Sequence, residues 1–412
     1  MAEKHDPSAA FRISDYRIYV IGWLVALMGT RLQTVAISWE MYERTGQALS
    51  LGLVGLTLAI PTMLFALPAG YLADRFERRK LVMLSLVGMT LTSLALGYLS
   101  YTHGSTTLMY AMLFLDATAI VLGRPARTAM LPQIVPRDVF PNAVTWNTSL
   151  MQLTGFIGPA VGGFVLVYSI SAAYLISALG SLFFIVILTR LHYRPGPRPS
   201  QPRNLDTLLQ GVKFVRDERI LLTLMSLDLF AVLLGGATYL LPIFAKDILN
   251  AGVTGYGILQ AAPAVGSFCM AISLVFLPPM RRAGRVLLVA IAGFGLATIV
   301  FGFSTSFPLS WAMLFLTGAL DNISMVVRQT LTQLLTPDEM RGRVSAVSSI
   351  FIGASNELGG LESGLVAQYF GPVFSVVSGG IGTLIVVATT ALFSPRLLAV
   401  DRLHETKSER VG

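Results

Sequence analysis

Residues Gly70–Lys80 read GYLADRFERRK and stand between two long apolar runs. Leu49–Ala73 and Leu81–Tyr101 contain no charged residue. A helix rises about 1.5 Å per residue, so roughly 20 apolar residues cross a hydrocarbon core of about 30 Å. Both runs reach that length, and the link between them is short, so they form a hairpin of membrane helices. The link carries one acid, Asp74, followed by Arg75, Arg78, Arg79 and Lys80. Short basic loops between membrane helices stay in the cytoplasm, which orients this hairpin.

Composition extends the reading to the whole chain. Of 412 residues, 54% are hydrophobic and 13% charged, with a mean hydropathy of +0.69. Soluble domains are about 25% charged, so this chain cannot cover a water-facing surface. Twelve spans of about 20 residues would use about 240 residues, leaving short loops and no room for a large soluble domain. The net charge of +8 is spread over many short loops and reads as topological, so no nucleic-acid partner is expected. The single cysteine, Cys269, lies inside an apolar run, which excludes disulfides and thiolate metal sites. His5, His103, His192 and His404 fall at run ends or in loops. Neither a zinc-protease H-E-x-x-H nor a phosphate-binding G-x-x-x-x-G-K-[ST] occurs, and no cofactor or metal is expected. The first apolar stretch follows Lys4, Arg12 and Arg17 without a small-residue cleavage site, so the first helix is expected to be retained.

Twelve apolar runs follow in order. The first six are Tyr19–Trp39, Leu49–Ala73, Leu81–Tyr101, Thr107–Leu122, Ala143–Tyr168 and Ser171–Leu188. The others are Ile220–Ala245, Gly252–Met280, Val286–Ser306, Leu309–Val327, Val344–Tyr369 and Pro372–Phe393. The gap between the sets opens with HYRPGPRPSQPR; then Leu205, Leu208, Leu209, Val212 and Val215 recur at helical spacing among polar residues. That second part reads as an amphipathic helix on the membrane surface. The expected organisation is a six-helix bundle over 1–191, a cytoplasmic linker over 192–219 and a second six-helix bundle over 220–412. Links after even-numbered runs carry the clusters around Arg78, Arg137, Arg203, Arg281 with Arg282, and Arg341 with Arg343. Opposite links carry little beyond Arg44 and Lys246, so both termini are expected in the cytoplasm. An internal repeat supports the split: RTAMLPQIVPRD begins at Arg127 and RQTLTQLLTPDE at Arg328, 201 residues later.

On these residues the chain resembles the major facilitator superfamily. Gly70, Asp74, Arg75, Arg78 and Arg79 match that superfamily's signature loop position by position, with Glu77 where a second glycine usually stands. PPMRRAGR, after the eighth run, is similar to a worn copy that keeps Arg281, Arg282 and Arg285. In the fifth run, GFIGPAVGG supplies Gly155, Gly158, Pro159, Gly162 and Gly163, which resembles the glycine–proline motif of proton-coupled exporters. The segments from Leu131 and from Thr336 look like the siderophore-exporter branch. The resemblance implies a proton-driven, monomeric efflux carrier of a bacterial-type inner membrane. Its partners would be a siderophore or lipophilic small molecule, protons and membrane lipids. Two bundles would expose a central cavity alternately to each side.

Charged residues at membrane depth are costly, about 2.5–3.5 kcal/mol each on insertion scales, and mark functional sites. They are Arg31, Asp116, Asp228, Asp321, Glu357 and Glu362, with Asn356 as a further polar group. Asp228, Glu357 and Glu362 are expected to include the proton carrier, with Asp116 and Asp321 next in line. Arg31 is expected to supply the opposing charge. Glu40, Arg124, Arg127 and Arg328 lie nearer run ends and read as structural; Asp321 and Arg328, seven apart, share a helical face. Asp74 is expected to close a cytoplasmic gate by docking at the start of the eleventh helix near Arg341 or Arg343. The glycines of the fifth helix are expected to pack on the small residues Gly257, Ala261, Ala262, Ala264 and Gly266 of the eighth.

Other readings are uptake, metal-ion efflux, and a lipid scramblase or intramembrane enzyme. The absence of His and Cys from the expected cavity speaks against a soft metal, though its carboxylates could hold a hard one, and no nucleophile–base pair at useful spacing speaks for an enzyme. A transporter is the expected function.

Overall fold

The computed structural model describes residues 6–192, 205–277 and 282–398. Lys4, His5, Arg203, Arg281 and His404 lie outside the described residues, as do the side chains of Leu205, Leu208, Leu209 and Glu357. The protein is an all-α membrane protein of twelve membrane helices in two six-helix bundles. The first set is α1 (Ser14–Thr45), α2 (Ala48–Arg75), α3 (Arg78–Tyr101), α4 (Thr106–Ile134), α5 (Phe140–Tyr168) and α6 (Ile170–Arg190). A shorter helix, α7 (Leu205–Asp217), precedes the second set. That set comprises α8 (Arg219–Leu234) with its continuation through α9 (Leu241–Ile243), then α10 (Gly252–Phe276), α11 (Ala283–Phe303), α12 (Phe307–Leu335), α13 (Arg341–Phe370) and α14 (Pro372–Phe393); a terminal turn, α15 (Pro395–Leu398), follows. Among the described residues, eleven of these segments are long and apolar enough to cross a membrane by length and composition. The remaining span, α13, carries Arg341, Arg343, Glu357 and Glu362 within its 30 residues.

Local sequence explains where the helices end and bend. The link between α1 and α2 turns at Gly46, whose φ of +63° is open to glycine at no steric cost. Gly371, with φ +90°, does the same between α13 and α14. Ser169 caps α6 by accepting from the backbone N–H of Ala172 at 3.3 Å. The seventh span is broken at Gly235–Gly236 and resumes as a 3₁₀ turn (Ala237–Leu240), α9, and a π turn (Phe244–Ile248). Gly236 lies so close to α13 that a methyl there would come 2.6 Å from the Gly359 carbonyl.

The described residues of Met1–Glu40 and Ile60–Arg203 form one compact unit, and those of Met41–Ala59 and Asn204–Gly412 a second. The end of α1 and the start of α2 thus belong by contact to the second unit. In the first unit, Tyr16, Tyr19, Val20, Trp23, Met130, Phe184 and Leu188 form a buried core. Its helices approach closely where side chains are small: a methyl on Gly29 would come 2.7 Å from Ser177 Cα. In the second unit the tightest crossing joins α10 and α12, with Gly266 against the Phe315 carbonyl and Gly318 against the Pro263 carbonyl. Without a hydrophobic force between helices in lipid, such close backbone contact is what binds them. Gly266 of α10 therefore serves α12 within this unit. The start of α2 is held the same way, since a methyl on Gly364 of α13 would reach 2.6 Å from Gly52 Cα.

Candidate functional site

Among the described residues, the second unit contains a tight cluster of opposite charges. Arg328 Nη1 on α12 is ion-paired with Asp228 Oδ1 on α8, while its Nη2 lies 3.8 Å from Asp321 Oδ1. Side chains on a helix tilt toward its N-terminus, so Arg328 reaches back toward Asp321 two turns earlier. The Arg328 and Asp228 side chains are 15% and 11% exposed, whereas Asp321 is 54% exposed. One guanidinium therefore serves a shielded and an open carboxylate. The nearby α13 adds less: Asn356 Nδ2 donates to its own helix at the Ile352 carbonyl, 2.9 Å away, and Glu362 accepts from Ser363 Oγ at 3.4 Å.

Near its far end, α1 contributes to the same unit through Tyr42. The Tyr42 hydroxyl donates to Asp247 Oδ2, and Lys246 Nζ sits 5.8 Å from the Tyr42 ring centroid. Leu49 N–H donates to Gln368 Oε1 at 3.2 Å. Residue spacing gave no sign of these contacts, because Tyr42 and Asp247 are 205 positions apart.

The first unit buries a different polar group. Asp116 on α4 is 3% exposed and accepts from Gln33 Nε2 at 2.9 Å and Thr92 Oγ1 at 2.7 Å. Ser93 Oγ donates to Gln33 Oε1 at 2.6 Å, extending the network across α1, α3 and α4. Gln33, Thr92 and Ser93 were missed by the sequence reading; a polar amide two residues after Arg31 in an apolar run is the signal that could have found them. Glu40 accepts from the Tyr174 hydroxyl at 2.8 Å. Arg31 makes no ion pair among the described residues, and the charged group acting on it is Arg124. The cation that Asp228 meets is Arg328 rather than Arg31.

The glycine–proline stretch of α5 lies against α1. A methyl on Gly158 would come 2.5 Å from Arg31 Cβ, and one on Gly162 would come 3.3 Å from Val35 Cβ. Gly158, Pro159, Gly162 and Gly163 are buried, and Gly155 is half-buried.

The basic loop is braced by its own unit. Arg78 donates to the Ala129 carbonyl at 3.0 Å, and Arg79 to the Thr189 carbonyl at 2.9 Å. Arg75 donates to the Tyr71 hydroxyl at 2.9 Å, and Lys80 pairs with Glu77 at 3.1 Å. Asp74 is half-buried, and a methyl on Gly70 would meet nothing within 4 Å. In the second unit, Arg341 pairs with Asp338 at 2.8 Å, and the Arg343 backbone lies against Gly211 of α7.

Comparison with known proteins places this geometry in context. The profile described as transmembrane secretion effector matches residues 5–411. The enterobactin exporters EntS of Shigella boydii and of Escherichia coli are each 26% identical over 377 residues, covering 90% of this chain and 89% of theirs. Among solved structures, a bacterial homologue of the human lysosomal transporter Spinster, inward-facing and unoccupied, superposes with a TM-score of 0.71. It is 14% identical and covers 96% of this chain and 99% of its own. A D-xylose–proton symporter gives a TM-score of 0.67 at 12% identity, covering 92% and 98%.

Proposed function

From the premise that this chain belongs to the transmembrane secretion effector family of major facilitator transporters, we propose that it is a proton-coupled exporter working by alternating access. Its membrane is the inner membrane of a bacterial-type cell, with both termini cytoplasmic, as the basic even-numbered links favour. Its substrate is a siderophore or lipophilic small molecule; the similarity to enterobactin exporters supports export and this class. The protein is a transporter of small molecules and not an enzyme.

The observation that carries proton coupling is the cluster of Arg328 with Asp228 and Asp321. A guanidinium balances one carboxylate. The second negative charge at membrane depth costs about 2.5–3.5 kcal/mol on insertion scales, and a bound proton removes that charge. Asp321, the more open of the two, exchanges the proton, while Asp228 stays fixed to Arg328. Asp116 sits among neutral donors and serves as a second candidate; Glu357 and Glu362 on α13 complete the acids to be tested. In vesicles with an imposed pH gradient, Asp321→Asn should abolish gradient-driven efflux while leaving substrate exchange intact. Efflux that is indifferent to the gradient in the unmodified protein would overturn the coupled reading altogether.

The loop Gly70–Lys80, with Arg341 and Arg343, acts as the cytoplasmic gate in this reading. Asp74→Asn is expected to shift the conformational population inward, read as altered cross-linking between cysteines placed in the two halves. An unchanged pattern removes Asp74 from the gate.

A further inference from the structure

Among the arginines of the first unit, none of which the proton cluster uses, Arg31 on α1 and Arg124 and Arg127 on α4 stand apart from the basic loop. Among the described residues none of them forms an ion pair; α1 and α4 meet at Gln33 with Asp116, 2.9 Å apart, and at Trp23 with Arg127, so Arg124 falls along the helices between the other two cations and repels both. Arg124 and Arg127 are three apart and share a helix face. The Arg127 guanidinium lies 4.8 Å from the Trp23 ring centroid, a cation–π contact that fixes it without neutralising it. Arg31 Nε is shut off from solvent and has no hydrogen-bond partner. Its stem is seated against Gly158, where a side chain at that position would displace it. Two cations repelled by a third within a membrane bundle, one of them with an unsatisfied N–H, are an arrangement that a bound anion would relieve. An arginine Nε–H together with a neighbouring Nη–H forms the fork that holds two oxygens of a carboxylate or a similar oxyanion.

We propose that Arg31, Arg124 and Arg127 form an anion-binding site within the first unit, and that the transported molecule is an aromatic or lipophilic organic anion carrying ionised acidic oxygens. The inference rests on the export reading and narrows its substrate class: lipophilic cations are excluded from this site by charge. Arg31 receives the oxyanion on its free Nε–H; Arg124, the exposed member, draws the anion in. Arg127, held on Trp23, keeps the local potential positive.

The test uses the full chain in nanodiscs of zwitterionic lipid, with protein-free discs subtracted. The probes are naphthoate and naphthylmethylammonium, alike in shape and opposite in charge. Naphthoate should bind at least tenfold more tightly than the ammonium compound. Arg31→Gln and Arg124→Gln should each weaken naphthoate at least tenfold and leave the ammonium probe unchanged, whereas Arg31→Lys should retain part of the affinity. Arg124 is exposed, so its variant reports even if Arg31→Gln fails to fold. Equal binding of the two probes, or an anion preference that survives Arg124→Gln, overturns the proposal. Loss of naphthoate binding on adding anionic lipid assigns the site to a lipid headgroup and likewise overturns the substrate assignment. Gradient-driven efflux is measured on the same preparations. Efflux without anion preference removes this proposal alone, and anion preference without gradient dependence removes proton coupling alone.

Discussion

Arg328→Gln is expected to cost about 3–5 kcal/mol of stability, the range for breaking one side of a buried ion pair, and to abolish gradient-driven transport. The reason is the state in which it leaves Asp228, whose side chain is only 11% exposed and whose counter-ion is Arg328. Little water can replace the guanidinium at that depth, so the carboxylate is stranded. The double variant Asp228→Asn/Arg328→Gln removes both charges together and should recover most of that stability. It should still fail to transport, because the cluster would no longer have a fixed charge against which Asp321 takes and releases a proton. Thermal unfolding of the two single variants and the double variant measures the coupling. A single-variant loss below about 1 kcal/mol, the scale of an exposed pair, would show that water screens the cluster, and the switch would have to lie elsewhere.

Gly318→Leu should prevent folding. A side chain at Gly318 runs into the carbonyl of Pro263, and even its Cβ would lie 2.6 Å from Pro263 Cα. Overpacking a core costs about 1–3 kcal/mol where side chains can move aside, and more where they cannot. Here the obstacle is backbone, so α10 and α12 must separate along their closest crossing. Gly266→Leu meets the Phe315 carbonyl from the other side and should fail in the same way. Gly70→Ala is the control: nothing lies within 4 Å of the added methyl, and stability should be unchanged. The measurement is the monodisperse fraction and melting temperature after purification. A Gly318→Leu protein that purifies and melts like the parent would mean that the crossing is not needed for the fold.

The glycine–proline stretch shows where sequence reading reaches its limit. Five small or bending residues at helical spacing mark a smooth face, and spacing alone reveals that face. Which neighbour meets it is another matter: Gly158 lies on the stem of Arg31, a residue 127 positions earlier in the chain (158 against 31). The pairing of Asp321 with Arg328 was readable, since seven positions on one helix return to the same side. That Asp228 is the closer partner was not readable, because α8 and α12 are joined only by the fold. The buried Asp116 network likewise depends on Gln33, Thr92 and Ser93, ordinary residue types whose convergence leaves no periodic trace.

By itself the sequence determined that this is a membrane protein of twelve spans, where they run, and that six are followed by six; the orientation proposed above rests on the same linear reading of its basic loops. Hydrophobic transfer and the charge of short loops act residue by residue along the chain, so their sum is already present in the order of the amino acids. Only the tertiary structure decided which charge meets which: Arg328 with two acids in the second unit, and three arginines left together in the first. Those meetings depend on the rotation and depth of each helix. Both are set by backbone contacts such as Gly318 on Pro263 and Gly29 on Ser177, between segments far apart in sequence.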